Sequence, residues 1–390
     1  MYGHLDKQPP LLPWAEGLGP YEPVIRGTRL YGRGGADDGY AIFGSVTAIM
    51  NLHQQKLHHA RCLILIEASE ESGSPDLPHY VQLLAPRIKV PDLVVCLDSG
   101  AANYEHMWVT TSLRGLVAGV LRVELLREGI HSGLGTGIAA STFRIIRQLL
   151  DRIEDVNTGK MKVPELVVEI PKIRKEQIAH CAKSLGSAIT DSIPFLPGAK
   201  PVSESIEDQL TGKTWQATLS VIGVDGIPDL DHAGNVLRPM TAVKLSIRVP
   251  PGVDAPAASL AVKKLLEENP PYGAKVTFEC DKAGSGWNAP DLSEWAAKSF
   301  KTASEAYFNG RPAGYVGEGG SIPLIGMLAN LFPNSQFCVT GVLGPESNAH
   351  GPNEFIDIEF AKKLNCCVSQ VLHDHYHAHH HHHHHHHEKH

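Results

Sequence analysis

Five short segments of the sequence carry histidine or carboxylate side chains where they could do chemistry: residues 3–6, 34–39, 70–74, 97–100 and 348–352. Histidines combined with several carboxylates suit Zn²⁺, and also Mn²⁺ or Co²⁺. Two such ions ~3.5–4 Å apart need a bridging carboxylate and can hold both oxygens of a tetrahedral intermediate. Adjacent Glu70 and Glu71 can divide the work, because one can bind metal while the other stays free as a general base.

Each of these segments is a weak signal when taken alone. A His-x-Asp sequence occurs often by chance, paired glutamates usually form a solvated surface, and a single histidine such as His350 is more often structural than a ligand. The positions are more informative than the residue types. The segments follow apolar runs or lie in glycine-rich turns, where glycine allows backbone conformations that other residues resist.

The elements that must position these side chains alternate between helix and strand patterns. Apolar residues at helical spacing predict a helix over residues 40–54. Continuous apolar runs at 62–66 and 93–97, both ending in acidic residues, predict strands of a sheet that is covered on both faces. Ligand sites of open α/β sheets lie at such strand ends, so the sequence predicts an α/β domain with a mostly parallel, helix-covered sheet.

The pattern changes after residue 114. Strands are predicted at 116–126, 214–224, 242–249 and 274–280, and helices at 141–153 and 256–268. This order fits an inserted α+β module with an antiparallel sheet over residues 115–283. The first pattern returns with a helix at 292–308, a strand at 337–342 and a final helix near 358–372. We therefore predict one discontinuous domain formed by residues 1–114 and 284–372.

The composition argues against several classes of partner. The formal net charge is −7 and no basic stripe is present, which argues against nucleic acid. No apolar run approaches the ~20 residues of a membrane span, and no signal peptide is visible. The seven cysteines include no CxxC pair, which favours reduced thiols over disulfides or a cysteine zinc site. We therefore expect a cytoplasmic protein with neither a nucleic-acid nor a membrane partner.

The C-terminal residues 373–390 are rich in histidine, with 13 of the 23 histidines of the chain. This composition predicts a disordered tail, either natural or an expression tag, that lies outside the folded domains. A metal-storage role is the alternative.

Taken together, the segments resemble a dinuclear metallopeptidase family. That family includes carnosine dipeptidases, succinyl-diaminopimelate desuccinylase, acetylornithine deacetylase and aminoacylases. Residues 2–9 (YGHLDKQP) resemble its first metal motif, and residues 31–37 its bridging motif. Residues 70–74, 131–133 (HSG) and 318–323 (EGGSIP) complete the set. The resemblance covers nearly the whole chain to about residue 372, and it implies that residues 1–114 and 284–372 form the catalytic domain and residues 115–283 a lid or dimerisation domain.

The resemblance implies two metal ions per chain, most readily Zn²⁺, with Mn²⁺ or Co²⁺ as alternatives. Asp37 would bridge the two ions. One ion would be completed by His4 and Asp98, and the other by Glu71 and His350. The resemblance also implies that the peptide bond after Asp37 is cis. A site for a single metal ion is the alternative arrangement.

The resemblance also implies the catalytic roles. Glu70 would act as general base, taking a proton from a water bridged between the ions and later delivering one to the leaving amine. Asp6 would form a hydrogen bond with His4 and fix its tautomer. His131, in the inserted domain, would reach the other active site of a homodimer and stabilise the oxyanion.

Substrate-binding residues are implied in two places. Asn235 and Arg248 resemble residues that bind the carboxylate of the substrate, since an Arg fork donates two hydrogen bonds, although both could be ordinary strand residues. The backbone N–H groups of one turn would bind the same carboxylate. This turn consists of Gly319, Gly320 and Ser321. Glu318 beside it could be structural.

The implied activity is that of a metallo-exopeptidase cleaving the amide bond of a dipeptide or similar small peptide. An N-acyl amino acid deacylase and a catalytically silent metal-binding homologue stay open as alternatives. Gly317 stands where some dipeptidases of the family carry arginine, which disfavours a strict carnosine dipeptidase. Family members usually carry a substantial segment before the first histidine motif. This sequence apparently lacks it, so we expect an exposed edge of the sheet.

Overall fold

The structure is a computed structural model that describes residues 1–387, with side chains described up to residue 380. The strands are β1 (Tyr2–His4), β2 (Val24–Arg26), β3 (Arg29–Tyr31), β4 (Leu65–Glu67), β5 (Leu93–Cys96), β6 (Trp108–Leu113), β7 (Gly115–Glu124), β8 (Ile130–His131), β9 (Thr218–Asp225), β10 (Val236–Leu237), β11 (Met240–Val249), β12 (Lys275–Gly284), β13 (Trp287–Asn288), β14 (Gly314–Glu318), β15 (Gln336–Val339) and β16 (Phe355–Asp357). The α-helices are α1 (Tyr40–Gln54), α2 (Leu77–Ile88), α3 (Ser132–Gly135), α4 (Thr142–Ile153), α5 (Lys172–Leu185), α6 (Ala188–Asp191), α7 (Ile206–Trp215), α8 (Ala255–Glu267), α9 (Glu294–Tyr307), α10 (Pro323–Leu331) and α11 (Ile358–His387).

A parallel sheet with strand order β15-β5-β1-β4 forms the centre of the first domain. Successive residues of a strand point to opposite faces, and both faces of this sheet are apolar. Val94 and Cys96 of β5 pack with α2 and α10, whereas Val95 and Leu97 pack with α1, α9 and α11. The predicted parallel sheet with helices on both faces is confirmed.

The second sheet is antiparallel, with strand order β12-β7-β11-β9. Helices α4 and α8 cover one face. On α4, the buried residues Ile145, Ile146, Leu149 and Ile153 follow helical spacing and face the core of this sheet. Asp254 is the N-cap of α8, and its carboxylate accepts a hydrogen bond from the Ala257 N–H. The antiparallel sheet expected within the inserted region is therefore present.

The middle of the inserted region does not pack with this second core. Ile178, Cys181 and Leu185 of α5, together with Leu210 and Trp215 of α7, are buried in the core of the first domain. The strand predicted over residues 214–224 is wrong at its start. Helix α7 continues through Trp215, and β9 begins only at Thr218; the side chains of Thr214 and Trp215 are buried in the helix. The domain limits at 115 and 283 stay a prediction.

The structure also differs from the predicted disordered tail. Helix α11 begins at Ile358 and continues through His387, so residues 373–387 are helical, and residues 388–390 lie outside the described part of the chain. This part of α11 packs against the first domain, because His375 is buried and its ring contacts Trp295 of α9. Within the described residues, no helix has the length and apolarity needed to cross a membrane.

Candidate active site

The five predicted metal ligands converge at the carboxyl ends of the parallel strands. His4 ends β1, and Asp98 follows β5. His4 Nε2 lies 3.0 Å from Asp37 Oδ1 and 3.2 Å from Asp98 Oδ1. His350 Nε2 lies 2.7 Å from Asp37 Oδ2 and 3.3 Å from Glu71 Oε1. The two oxygens of Asp37 thus face different histidines, as a bridging carboxylate requires.

The donor atoms form three overlapping sets of three, each with all atoms within 4.8 Å of one another, and one of them consists of His4, Glu70 and Glu71. The other two contain the five predicted ligands. One set is His4, Asp37 and Asp98, and the other is Asp37, Glu71 and His350. Either set has the number and type of ligands that a catalytic divalent-cation site uses while keeping a position open.

Asp37 is held by a buried ion pair that no sequence motif reveals. Arg33 Nη1 donates to Glu354 Oε1 at 2.7 Å, and both side chains are 1% exposed. Glu354 Oε2 accepts hydrogen bonds from the backbone N–H groups of Gly34, Ala36 and Asp37. Arg33 belongs to the bridging motif, but nothing in the sequence near Glu354 pointed to this contact. The peptide bond that follows Asp37 is cis, as expected.

Asp6 contacts His4 in a different way from the one expected. The Nδ1–H of His4 donates to the backbone carbonyl of Asp6 at 3.0 Å, whereas the carboxylate lies 3.4 Å away. A carbonyl can only accept, so this bond places the proton on Nδ1 and leaves Nε2 for a metal. The Asp6 carboxylate instead accepts the backbone N–H groups of Glu70 and Glu71, at 3.1 and 2.8 Å, and fixes the turn that carries both.

Burial, hydrogen bonds and neighbouring charges shift the pKa values of the side chains in this cluster. Burial lowers the pKa of His4, but hydrogen bonds to Asp37 and Asp98 outweigh it and raise that pKa to about 12. Hydrogen bonds to Asp37 and Glu71 raise the pKa of His350 to about 10. In the metal-free site both imidazoles are therefore cationic at neutral pH, with a proton on each ring nitrogen.

Glu70 lies beside the two sets that contain the predicted ligands, with Oε2 3.5 Å from His4 Nε2. Burial raises the pKa of Glu70 to about 8, and the negative charge of Asp98 adds to this effect. Burial likewise raises the pKa of Asp98 to about 7. A carboxyl whose pKa lies near neutrality is suited to both accepting and returning a proton.

The residues of the cluster fit divalent cations. Four acidic side chains, those of Asp37, Glu70, Glu71 and Asp98, converge on His4 within 3.8 Å. Buried like charges are costly unless a cation compensates them.

His131 and Asn235 lie outside this cluster. His131 is exposed in the ribbon of β8 and β10, and its Nδ1 accepts the Gly133 N–H. The Asn235 carbonyl accepts the Ser132 N–H, so the two predicted residues are neighbours. Among the described residues, no hydrogen bond or ion pair joins either of them to the metal-ligand cluster.

Arg114, which no sequence motif singles out, lies between Arg248 and the predicted 319–321 turn. Arg114 Nε donates to the Gly319 carbonyl at 3.0 Å. Burial lowers the pKa of Arg114 to about 10, and the positive charge of Arg248 contributes. Neither guanidinium forms an ion pair within the described residues, so this corner offers uncompensated positive charge to an anion. A Cβ on Gly317 nearby would lie 2.5 Å from Ser112 Oγ, which accounts for glycine at that position.

This fold and site are those of a metal-dependent hydrolase. Residues 1–373 match the model of Peptidase family M20/M25/M40, and the chain belongs to this family of amide-bond hydrolases. The family and the type of enzyme expected from the sequence motifs are therefore confirmed.

Curated relatives match most of the chain. The cysteinylglycine-S-conjugate dipeptidase of Corynebacterium striatum is 25% identical over 361 residues, covering 92% of this chain and 76% of that protein. The Cys-Gly metallodipeptidase DUG1 of Saccharomyces cerevisiae is 24% identical over 371 residues, covering 92% and 75%.

Solved structures share the fold. The di-peptidase Dug1p from Saccharomyces cerevisiae superposes with a TM-score of 0.79 at 23% identity, covering 96% of this chain and 78% of that one. Human carnosine dipeptidase 1 has a TM-score of 0.74 at 21% identity, covering 96% and 79%.

Proposed function

We propose that this peptidase is a dipeptidase that depends on two divalent cations. The observation that carries the proposal is the convergence of His4, Asp37, Glu71, Asp98 and His350 beside Glu70. The dipeptidases among its relatives, which match over 92% of the chain, support a dipeptide as substrate.

The proposed ligand sets share Asp37. His4 and Asp98 would complete one cation site, while Glu71 and His350 would complete the other. Two bound cations would polarise the scissile carbonyl and acidify the attacking water. Zn²⁺ suits these ligands best, and Mn²⁺ or Co²⁺ is the alternative.

Glu70 would move the protons. Its carboxylate would accept a proton from the attacking water and later deliver it to the nitrogen that leaves as an amine. The raised pKa supports both steps, because the protonated form is accessible near neutrality. The Asp6 contacts to the backbone of residues 70 and 71 would keep Glu70 in position.

The positive corner would bind the free carboxylate of the substrate. Arg248 is the proposed partner of that carboxylate, and Arg114 would hold the turn through Gly319. Backbone N–H groups of Gly320 and Ser321 would complete the contact. Asn235 would contribute from the ribbon that also carries His131.

His131 would act in a homodimer. Because it is exposed and lies outside the ligand cluster of its own chain, we propose that it completes the active site of the partner subunit and stabilises the oxyanion there. We also propose a cytoplasmic location, supported by seven cysteines that are all free.

A deacylase is the second candidate. A succinyl-diaminopimelate desuccinylase of Azoarcus sp. is 33% identical, but only over 126 residues, or 31% of this chain. The test is turnover of unmodified dipeptides against N-acetyl and N-succinyl amino acids with added Zn²⁺ or Mn²⁺. We expect hydrolysis of the dipeptides. Turnover of the N-acyl compounds alone would favour the deacylase, and no turnover of either, in a preparation loaded with metal, would favour a silent homologue.

A further inference from the structure

A second histidine–carboxylate cluster lies at the opposite end of the parallel sheet. Asp92 precedes β5, whereas Asp98 follows it. Six residues at ~3.3 Å each separate these two carboxylates by up to about 20 Å. His375 and His379 of α11 lie next to Asp92, and the donor atoms of these three residues all lie within 4.8 Å of one another.

The distance between His375 and Asp92 suits two metal ligands better than a hydrogen-bonded pair. His375 is 8% exposed, and its Nε2 is buried with no hydrogen-bond partner. Asp92 Oδ2 lies 3.5 Å from that nitrogen, which is long for an N–H···O bond. Two donors at ~2.0–2.1 Å from one tetrahedral ion lie about 3.4 Å apart, so the distance between His375 and Asp92 fits a shared cation.

The second histidine is oriented by its own helix. His379 is four residues after His375, which places both rings on one face of α11, with centroids 4.2 Å apart. The Nδ1–H of His379 donates to the His375 carbonyl at 2.8 Å. This bond fixes the proton on Nδ1 and leaves Nε2 as the lone-pair donor.

The surroundings hold the rings while leaving one side open. The indole of Trp295 on α9 contacts both imidazoles edge-on, at centroid distances of 5.5 and 5.6 Å. Asp92 and His379 line a groove of about 600 Å³ that also contains Glu294 and Lys298. Water from this groove can complete the coordination of an ion bound by three side chains.

We propose that Asp92, His375 and His379 form a site for a divalent transition-metal ion of the Zn²⁺ type, separate from the candidate active site. The bound ion fastens α11 to the loop that precedes β5. Two imidazoles and one carboxylate favour such an ion over Mg²⁺ or Ca²⁺, which prefer oxygen ligands alone.

The test is a titration of the full chain with Co²⁺, followed by tryptophan fluorescence. Co²⁺ is paramagnetic and quenches an indole at short range, so ion binding beside Trp295 gives a saturable decrease that Zn²⁺ reverses and Mg²⁺ does not. The Trp295→Phe variant, which keeps all three ligands, loses this component. This control separates the new site from ions bound near the other four tryptophans.

Asp92→Asn tests the ligand set, because an exposed isosteric change leaves the fold intact. We expect the midpoint of the Trp295 component to rise at least about tenfold, a loss seen even for outer partners of metal ligands. The matched control is Glu294→Gln, which removes a carboxylate of the same groove and leaves the midpoint unchanged. An unchanged midpoint in Asp92→Asn, or equal shifts in both variants, would overturn the proposal and assign the binding to the histidine run or to groove charge.

Discussion

The ion pair between Arg33 and Glu354 offers a quantitative test of how the site is built. Glu354 bonds Arg33 through one oxygen and the backbone N–H groups of Gly34, Ala36 and Asp37 through the other. Glu354→Gln replaces one acceptor oxygen by an NH₂ group. That NH₂ group would face either the Arg33 guanidinium or the backbone N–H groups, which are also donors, and the buried Arg33 would lose its counter-charge. Removing one partner of a buried pair costs ~3–5 kcal/mol, and we expect about 3 kcal/mol because Gln keeps one acceptor.

The assay is urea unfolding of the metal-free chain, with Glu346→Gln as matched control. Glu346 also bonds an arginine at 3.0 Å, but Arg29 and Glu346 are 37% and 70% exposed. Exposed pairs contribute ~0–1 kcal/mol, so the control should unfold almost as the wild type does. We further expect Glu354→Gln to weaken Zn²⁺ binding, since it loosens the turn that carries Asp37. Equal losses of stability in the two variants would refute the reasoning.

Three further predictions concern catalysis and metal uptake. Glu70→Gln should lower the rate of dipeptide hydrolysis ~10²–10⁴-fold while the metal content, counted by mass spectrometry, stays at the wild-type value; unchanged activity would remove the proposed base. Zn²⁺ binding to the metal-free chain should release protons, because His4 and His350 are protonated in the free site and must be neutral to ligate, so affinity falls as the pH falls; calorimetry in buffers of different ionisation enthalpy measures the release, and a value of zero would contradict it. Arg248→Gln should raise KM for a dipeptide by about 10–100-fold, equivalent to ~1.5–3 kcal/mol for a hydrogen bond to a charged group, with little effect on a C-terminally amidated substrate; equal effects on both substrates would exclude the carboxylate contact.

The convergence of the five proposed ligands could be predicted from the sequence because these residues occupy strand ends and glycine-rich turns, whose position follows from the chain pattern. His4 is the last residue of β1, and Asp98 follows the end of β5. Ligands of a parallel sheet bind at this edge. The continuous apolar run at 93–97, which contains β5, likewise predicted a sheet that is covered on both faces.

Long-range polar contacts could not be read in the same way. Glu354 lies more than 300 residues from Arg33 in the sequence, and no local pattern distinguishes it from a surface glutamate. The sequence pattern marks position 114 only as the end of the first domain segment, although Arg114 bonds the Gly319 carbonyl across the fold. The helical course of residues 373–387 was missed because histidine composition is typical of a tail, while the burial of His375 depends on Trp295, far away in the sequence.

The most direct test of the dinuclear site is a crystal structure of the Zn²⁺-loaded chain with anomalous scattering at the zinc edge. We expect two peaks ~3.5–4 Å apart, one beside His4 and Asp98 and the other beside Glu71 and His350, with Asp37 between them. A single peak at this cluster, or zinc bound without Asp37, would contradict this expectation.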